Sequence, residues 1–484
     1  LVTKGLSLRA FAVIKHPASF QLKSNSATQK RETAFPFISP RRMKMTIRAV
    51  TARVFASPVI RSQSAQPQRS LFAKGRLAAG SLLGTLVFLV LISSTAFAQY
   101  AGGPTKLTIK SSVLGEDRVI LVRTPPGYAT NNVKYPVLYM TDGDAHIGHT
   151  SSTIDFLVRN GRMSDLIVVA IPNTDRTRDL TPDKGTGPNA TQFPTAGGAD
   201  KFLKFIETEL IPQIEKDYRV QPYRILAGHS FGGLFAVHAL ITRPELFNSY
   251  IAVSPSLQWS DDAELKRAQE FFKNRKELNA TLFTSIGNEP GDIGKDFVAF
   301  KELLGQTKIK GFDWQAEQML DEDHGSVVLR SHYFGMRKVF DGWQMPRDPE
   351  TGAVAGGLKA ADEHYQSLSK KFGYAIPTPE ALINQIGYQY LGAGSNDEAI
   401  ATFKTNVERY PNSANVYDSL GEAYEKTGHL DWATPQYEKA QALGKQNNDP
   451  NAAVFAANFA RASDKLKQAN AVKATEADTA KKNQ

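Results

Sequence analysis

Cysteine is absent from all 484 residues. That excludes a disulfide framework, a thiolate metal site and a cysteine nucleophile, and it leaves the compartment open. Acidic side chains are nearly missing from one stretch: residues 1–98 carry 15 Lys/Arg against a single acid, Glu32. The formal charge of +10 is therefore misleading, because that stretch alone contributes +14 and the remainder carries 10 − 14 = −4. A mildly acidic globular part removes the ground for a nucleic-acid partner. Charge also vanishes from Leu77 to Ala98, a run preceded by Lys74 and Arg76 and closed by Ala96-Phe97-Ala98. A basic edge, an apolar core and a small-x-small site form the order of a secretory signal. Residues 74–98 are thus expected to be a signal peptide, the alternative being a membrane anchor over 77–98. The chain is then exported, to the periplasm or beyond. Residues 1–73, rich in Arg, Ser and Gln, are expected to be disordered or a mis-assigned extension.

From Thr105 to Phe340 short apolar runs alternate with helical patterns. Leu107–Ile109 and Val119–Val122 read as an opening antiparallel pair. Pro136–Met140, Leu166–Ile171, Tyr223–Ala227, Tyr250–Val253 and Thr281–Ile286 read as strands buried on both faces, and a last strand is expected near Phe312–Met319. Phe202–Tyr218 carries apolar residues at helical spacing. The order predicts a doubly wound, mostly parallel α/β sheet over 99–345, with its site at the carboxyl ends of the strands. Residues 346–379 are expected to be a linker containing a helix from Lys359 to Lys371.

Beyond 380 the chain repeats itself. Gly387, Tyr390, Ala399 and Phe403 return 34 residues later as Gly421, Tyr424, Ala433 and Tyr437. This pattern resembles a tetratricopeptide repeat, a helix pair in which small residues allow close approach. Residues 380–470 are expected to form two such repeats and a capping helix, an all-α module that binds a protein partner or self-associates. Residues 471–484 are expected to be a disordered tail.

The chemistry centres on Gly228-His229-Ser230-Phe231-Gly232, a G-x-S-x-G pattern between a strand and a helix. A serine on so sharp a turn exposes its hydroxyl, and glycines flank it because a Cβ would clash. Serine needs a base, and the base needs an orienting acid. His324, in Asp321-Glu322-Asp323-His324-Gly325-Ser326 just past the last strand, is the candidate base; His332 falls in the following helix. Glu289 is the candidate acid, with Asp292 in reserve, both in the loop after Ile286. The oxyanion hole is expected from the backbone N–H of Phe231 and of Gly143 or Asp144. Arg176, Arg178 and Trp259 are candidate substrate contacts, the arginines suiting an anionic group. His146 and His149 lack a third ligand of matching spacing, so no metal is expected. No cofactor is needed.

The segments Tyr135 to Gly143, Gly197 to Phe205, Gly228 to Phe235, Ser254 to Leu257 and Asp323 to Ser326 resemble the esterase branch of the α/β-hydrolases. That branch holds esterase D-like enzymes, trilactone siderophore esterases, feruloyl esterases and mycolyltransferases. The resemblance covers about Pro104 to Phe340. It implies a serine hydrolase of carboxylic esters, and supports Ser230 and His324. Some siderophore esterases of the branch work mainly through a Ser–His pair. The alternatives are an inert hydrolase-fold scaffold whose repeats bind a protein, and an acyltransferase.

Overall fold

The computed structural model describes residues 103–482. The eight expected strands are β1 (Thr105–Ser111), β2 (Glu116–Arg123), β3 (Tyr135–Met140), β4 (Ile167–Ala170), β5 (Val220–His229), β6 (Ser249–Val253), β7 (Glu277–Ile286) and β8 (Lys310–Gln318). They form one sheet in the order β1-β2-β4-β3-β5-β6-β7-β8. β2 pairs antiparallel with β1 and β4, and every pairing from β4 to β8 is parallel. All residues of β3, β4 and β6 are buried. Their side chains alternate between two cores, as the two-residue period of a strand requires. Val137, Tyr139, Ile167, Val169, Tyr250 and Ala252 enter one. Leu138, Met140, Val168, Ala170, Ile251 and Val253 enter the other.

Helices cover both faces. The expected helix Phe202–Tyr218 occurs as Ala199–Phe205 and Ile211–Asp217 joined by a π turn, Ile206–Leu210. Pro212, which has no N–H to donate, accounts for the altered ladder there. Helix Val327–Val339 crosses so close to β6 that a Cβ at Gly335 would stand 2.9 Å from Ile251.

Residues 346–379, expected to be a linker with a helix over Lys359–Lys371, do contain that helix. Helix Gly357–Phe372 buries Ala361, Tyr365, Leu368 and Phe372, one stripe at helical spacing, in the second core. Phe372 packs on Tyr223 at 4.9 Å and on Phe340 at 5.2 Å between ring centroids. An all-helical region follows: Glu380–Gly392, Asn396–Arg409, Ala414–Lys426, Leu430–Gln446 and Ala452–Lys482. Its close approaches repeat, with Gly387 against Phe403, Gly421 against Tyr437 and Gly444 against Phe455. Residues 471–482, expected to be disordered, continue the last helix instead. Ala and Lys dominate that segment and are strong helix formers even when exposed.

The signal-like segment 74–98 and the extension 1–73 lie outside the described residues. Among the described residues no helix is long and apolar enough to cross a membrane.

Because Phe372 is 2% exposed and joins the helical region to the sheet, Phe372→Ala is expected to destabilise the fold by about 3–5 kcal/mol. Urea unfolding followed by tryptophan fluorescence checks this; a loss below about 1 kcal/mol would show that the contact is peripheral.

Candidate active site

β5 ends at His229 and the next helix starts at Phe231, leaving Ser230 alone at the bend with φ 62° and ψ −117°. A side chain at positive φ costs on the order of 1–3 kcal/mol and persists only where its surroundings impose it. They do so here. Ser230 N–H donates to Val253 O at 2.9 Å, and Ser230 O accepts from Leu234 N–H at 2.9 Å and Ser256 N–H at 3.2 Å. The glycines are required by space: a Cβ on Gly228 would lie 2.2 Å from Gly232 O, one on Gly232 2.2 Å from Thr141 Oγ1, and one on Gly233 2.6 Å from Val253 O. Ser230 Oγ has Ser256 Oγ at 3.4 Å as its polar neighbour among the described residues, and no direct bond to His324 is formed.

The loops after β7 and β8 clasp each other. Asn288 N–H donates to Glu322 O at 2.6 Å. Gly287 allows this approach, since a Cβ there would be 2.8 Å from the carbonyl oxygens of Glu322 and Asp323. Asp323 Oδ1 accepts from Gly325 N–H and Ser326 N–H, which turns the chain around His324. The clasp brings Glu289 Oε2 to 2.5 Å from His324 Nδ1. Glu289 Oε1 accepts from Ser254 Oγ at 2.6 Å and Gly287 N–H at 3.2 Å. The Glu289 side chain is 6% exposed and that of His324 is 43% exposed. Burial pushes the Glu289 carboxyl upward, but the bonds from His324 and Ser254 outweigh it and hold the group below its ordinary value. An ionised carboxylate accepts only, so Nδ1 carries the proton and Nε2 is left free to take one. Asp292 is not brought to the base: it begins helix Asp292–Gln306, fully exposed, and pairs with Lys295 at 2.8 Å.

Gly143 does not fit the expected oxyanion role, because its N–H already donates to Ile171 O at 3.0 Å. Asp144 and Phe231 stand in the first turns of helices Gly143–Arg159 and Phe231–Thr242, where N–H groups have no acceptor within the helix. Arg176 grips Asp142 through Nε at 2.6 Å and Nη2 at 3.1 Å, and its Nη2 also donates to His229 O at 3.0 Å. Its guanidinium lies over the Phe231 ring at 5.4 Å. Arg178 is turned away, paired with Glu116 at 2.6 Å and Asp179 at 2.8 Å. Both arginines thus have carboxylate partners within the protein. Trp259 packs edge-on against Phe231 at 5.2 Å and donates to Asp183.

Several neighbours were not read from the sequence. Ser254 and Ser256 belong to the run after β6, but no pattern marks them as partners of Glu289 and Ser230. His229 Nε2 donates to His324 O at 2.7 Å. His146 lies 5.8 Å from His229, and His149 stacks on His332 at 5.4 Å. Thr150 Oγ1 meets His332 Nδ1 at 2.8 Å. Burial, then the neighbouring imidazoles, drives His332 well below the usual histidine range. Burial and the adjacent His324 lower His229 to about 4. Among the described residues no group of three or more His, Asp or Glu is arranged to hold a metal. A cavity of about 630 Å³ between helices Ala263–Asn274 and Asp292–Gln306 is not lined by Ser230, Glu289 or His324.

Residues 111–325 match the family described as "Putative esterase". The ferri-bacillibactin esterase BesA of Bacillus subtilis is 32% identical over 179 residues, 33% of this chain and 61% of that protein. The siderophore enterobactin esterase of Emericella nidulans is 40% identical over 205 residues, 34% of this chain and 67% of that protein. The chain therefore spans somewhat under or about two thirds of the length of these curated relatives. An IroE-like serine hydrolase from Shewanella oneidensis has 30% identity and a TM-score of 0.55, covering 63% of this chain and 99% of that one.

The lowered His229 has a consequence for stability. Its folded value of about 4 lies below the ordinary 6.5, so between these values the unfolded chain binds more protons. Stability attributable to this group is then intact above pH 6.5 and falls as pH drops towards 4, by at most on the order of 3 kcal/mol. His229→Gln cannot titrate there and is expected to lose less stability between pH 7 and pH 4.5. Urea midpoints at the two pH values measure it; an identical drop in both proteins would exclude His229 as a source.

Proposed function

We propose that this chain, which belongs to the "Putative esterase" family, hydrolyses carboxylic esters through an acyl-enzyme on Ser230. The contact that carries the reading is Glu289 on His324, beside a serine held at positive φ. Ser230 Oγ attacks the ester carbonyl carbon while its proton passes to His324 Nε2. The tetrahedral oxyanion accepts from the N–H groups of Phe231 and Asp144. Its collapse breaks the bond to the alcohol oxygen, which takes the proton from His324. Water, deprotonated by the same imidazole, then attacks the acyl carbon; the bond to Ser230 Oγ breaks, Oγ takes that proton back from His324, and the acid leaves. Glu289 keeps the proton on Nδ1 and steadies the imidazolium. Exchanging the 3.4 Å Ser230–Ser256 contact for a bond to His324 is left to substrate binding.

The substrate class we favour is a siderophore lactone, since relatives at 32% and 40% identity are named a ferri-bacillibactin esterase and a siderophore enterobactin esterase. The 34-residue recurrence and the repeated glycine–aromatic approaches support a tetratricopeptide-like array over 380–470. The basic, apolar and small-x-small order of residues 74–98 supports export.

With a ferric catecholate trilactone, a feruloyl ester and a short-chain ester in parallel, the trilactone is expected to give the highest kcat/KM. Hydrolysis confined to short-chain esters would retire the siderophore substrate. Ser230→Ala is expected to abolish turnover, and Glu289→Gln to lower kcat by about 10²–10⁴. Asp292→Asn should stay within about twofold, as surface substitutions do; the opposite ranking would exchange the two acids. Fractionation of cells expressing the full chain is expected to find activity outside the cytoplasm, and deletion of 74–98 to retain it inside. Equal distribution of the two proteins would remove the export proposal.

A further inference from the structure

We infer that His229, the residue between Gly228 and the nucleophile, is a positioning residue that holds the backbone of the base; this rests on the serine-esterase reading above. His229 is the last residue of β5 and is fixed there on its main chain. It pairs with Val253 of β6, and its carbonyl accepts from Arg176 Nη2 at 3.0 Å. Its ring reaches sideways, and Nε2 stands 2.7 Å from the carbonyl oxygen of His324, 95 residues further along the chain. A carbonyl can only accept, so Nε2 carries hydrogen and the tautomer is set. Among the described residues the His324 carbonyl has no other partner.

The base is therefore held twice and from two strands. Glu289, past β7, orients its ring through Nδ1. His229, at the end of β5, fixes its peptide. The second hold links the base directly to the residue that precedes Ser230, so nucleophile and base share one side-chain tie in addition to the hold from Glu289. The ring of His229 must also stay neutral. It lies 4.6 Å from the His324 ring, which becomes an imidazolium during the reaction, with His146 of helix Gly143–Arg159 at 5.8 Å on its other side. Asp142 at the end of β3 and Arg176 complete its charged surroundings and are already paired with each other. A neutral N–H donor gives the hold without a competing charge.

Gln and Met have nearly the same length, and only Gln carries an N–H at the tip. His229→Met is expected to lower kcat about tenfold, the worth of one hydrogen bond, with KM within about twofold. His229→Gln should recover most of that loss. Equal kcat in the two variants, or wild-type kcat in His229→Met, overturns the proposal. Thermal melts of both establish that they fold. Hydrogen exchange at the amides of residues 322–326 reads the hold without any chemistry: faster exchange is expected in Met than in Gln or wild type, and equal exchange in all three refutes it. Ser230→Ala, assayed alongside, keeps the two ideas apart. If it retains hydrolysis, the nucleophile assignment fails, while the exchange result still decides the role of His229.

Discussion

Everything around the site follows from one backbone constraint: a non-glycine residue held at φ 62° between a strand and a helix. The bend is so tight that three neighbouring positions have no room for a Cβ. Gly232 O crowds Gly228 from within the turn, and the other crowding atoms come from Thr141 and Asp142 after β3, from Val253 at the end of β6 and from Pro255 beyond it. The elbow therefore fits its surroundings only with β3, β5 and β6 in this register. The bonds that fix it then gather the strand ends on which Asp142, Ser254 and Ser256 stand. The strain at Ser230 is local, but the structure that sustains it is the central sheet.

The buried carboxylates Asp142 and Glu289 are both paired. Asp142 lies in a left-handed conformation, opens helix Gly143–Arg159, and is neutralised by Arg176, which also reaches the carbonyl of His229. One arginine thereby ties the loop after β4 to the end of β3 and to the elbow. Glu289 and Asp292 show how much three residues matter. The first is covered by the clasp of two loops and bonded on both oxygens, and the second stands at an exposed helix start beside a lysine. Burial with matched donors separates a poised carboxylate from a solvated one.

Much of this was legible beforehand, for identifiable reasons. The strands announced themselves because parallel strands covered on both faces need unbroken apolar runs, as in Leu138, Val168 and Ile251. Ser230 was legible from its glycines, and His324 and Glu289 from their places after strands. What stayed hidden depends on geometry that no spacing encodes. The N–H of Gly143 has the right address for an oxyanion donor, but Ile171 claims it. Arg176 and Arg178 look alike in sequence; one faces the elbow and the other Glu116. The segment 346–379 begins as a turn-rich loop, and only the stripe from Ala361 to Phe372 reveals that it packs into the core. The histidine that bonds His324 O reads, in sequence, as the variable position of a motif.

Phe372 meets Tyr223 near the start of β5, while Ser230 follows that strand's last residue. Seven residue steps separate the two, about 23 Å at the usual rise of a strand. Lys370, Lys371 and Phe372 share a recess with Asn248, Asn279 and Gly311, which also mark the beginnings of strands. The helical region is thus fastened to the floor of the sheet. In mechanical terms, tension on those helices would enter the sheet at the foot of its strands and spread along their hydrogen-bonded ladders before reaching the elbow. Ser230, Glu289 and His324 follow the opposite ends of β5, β7 and β8, so the fastened floor and the reactive rim sit at the two ends of the same strands.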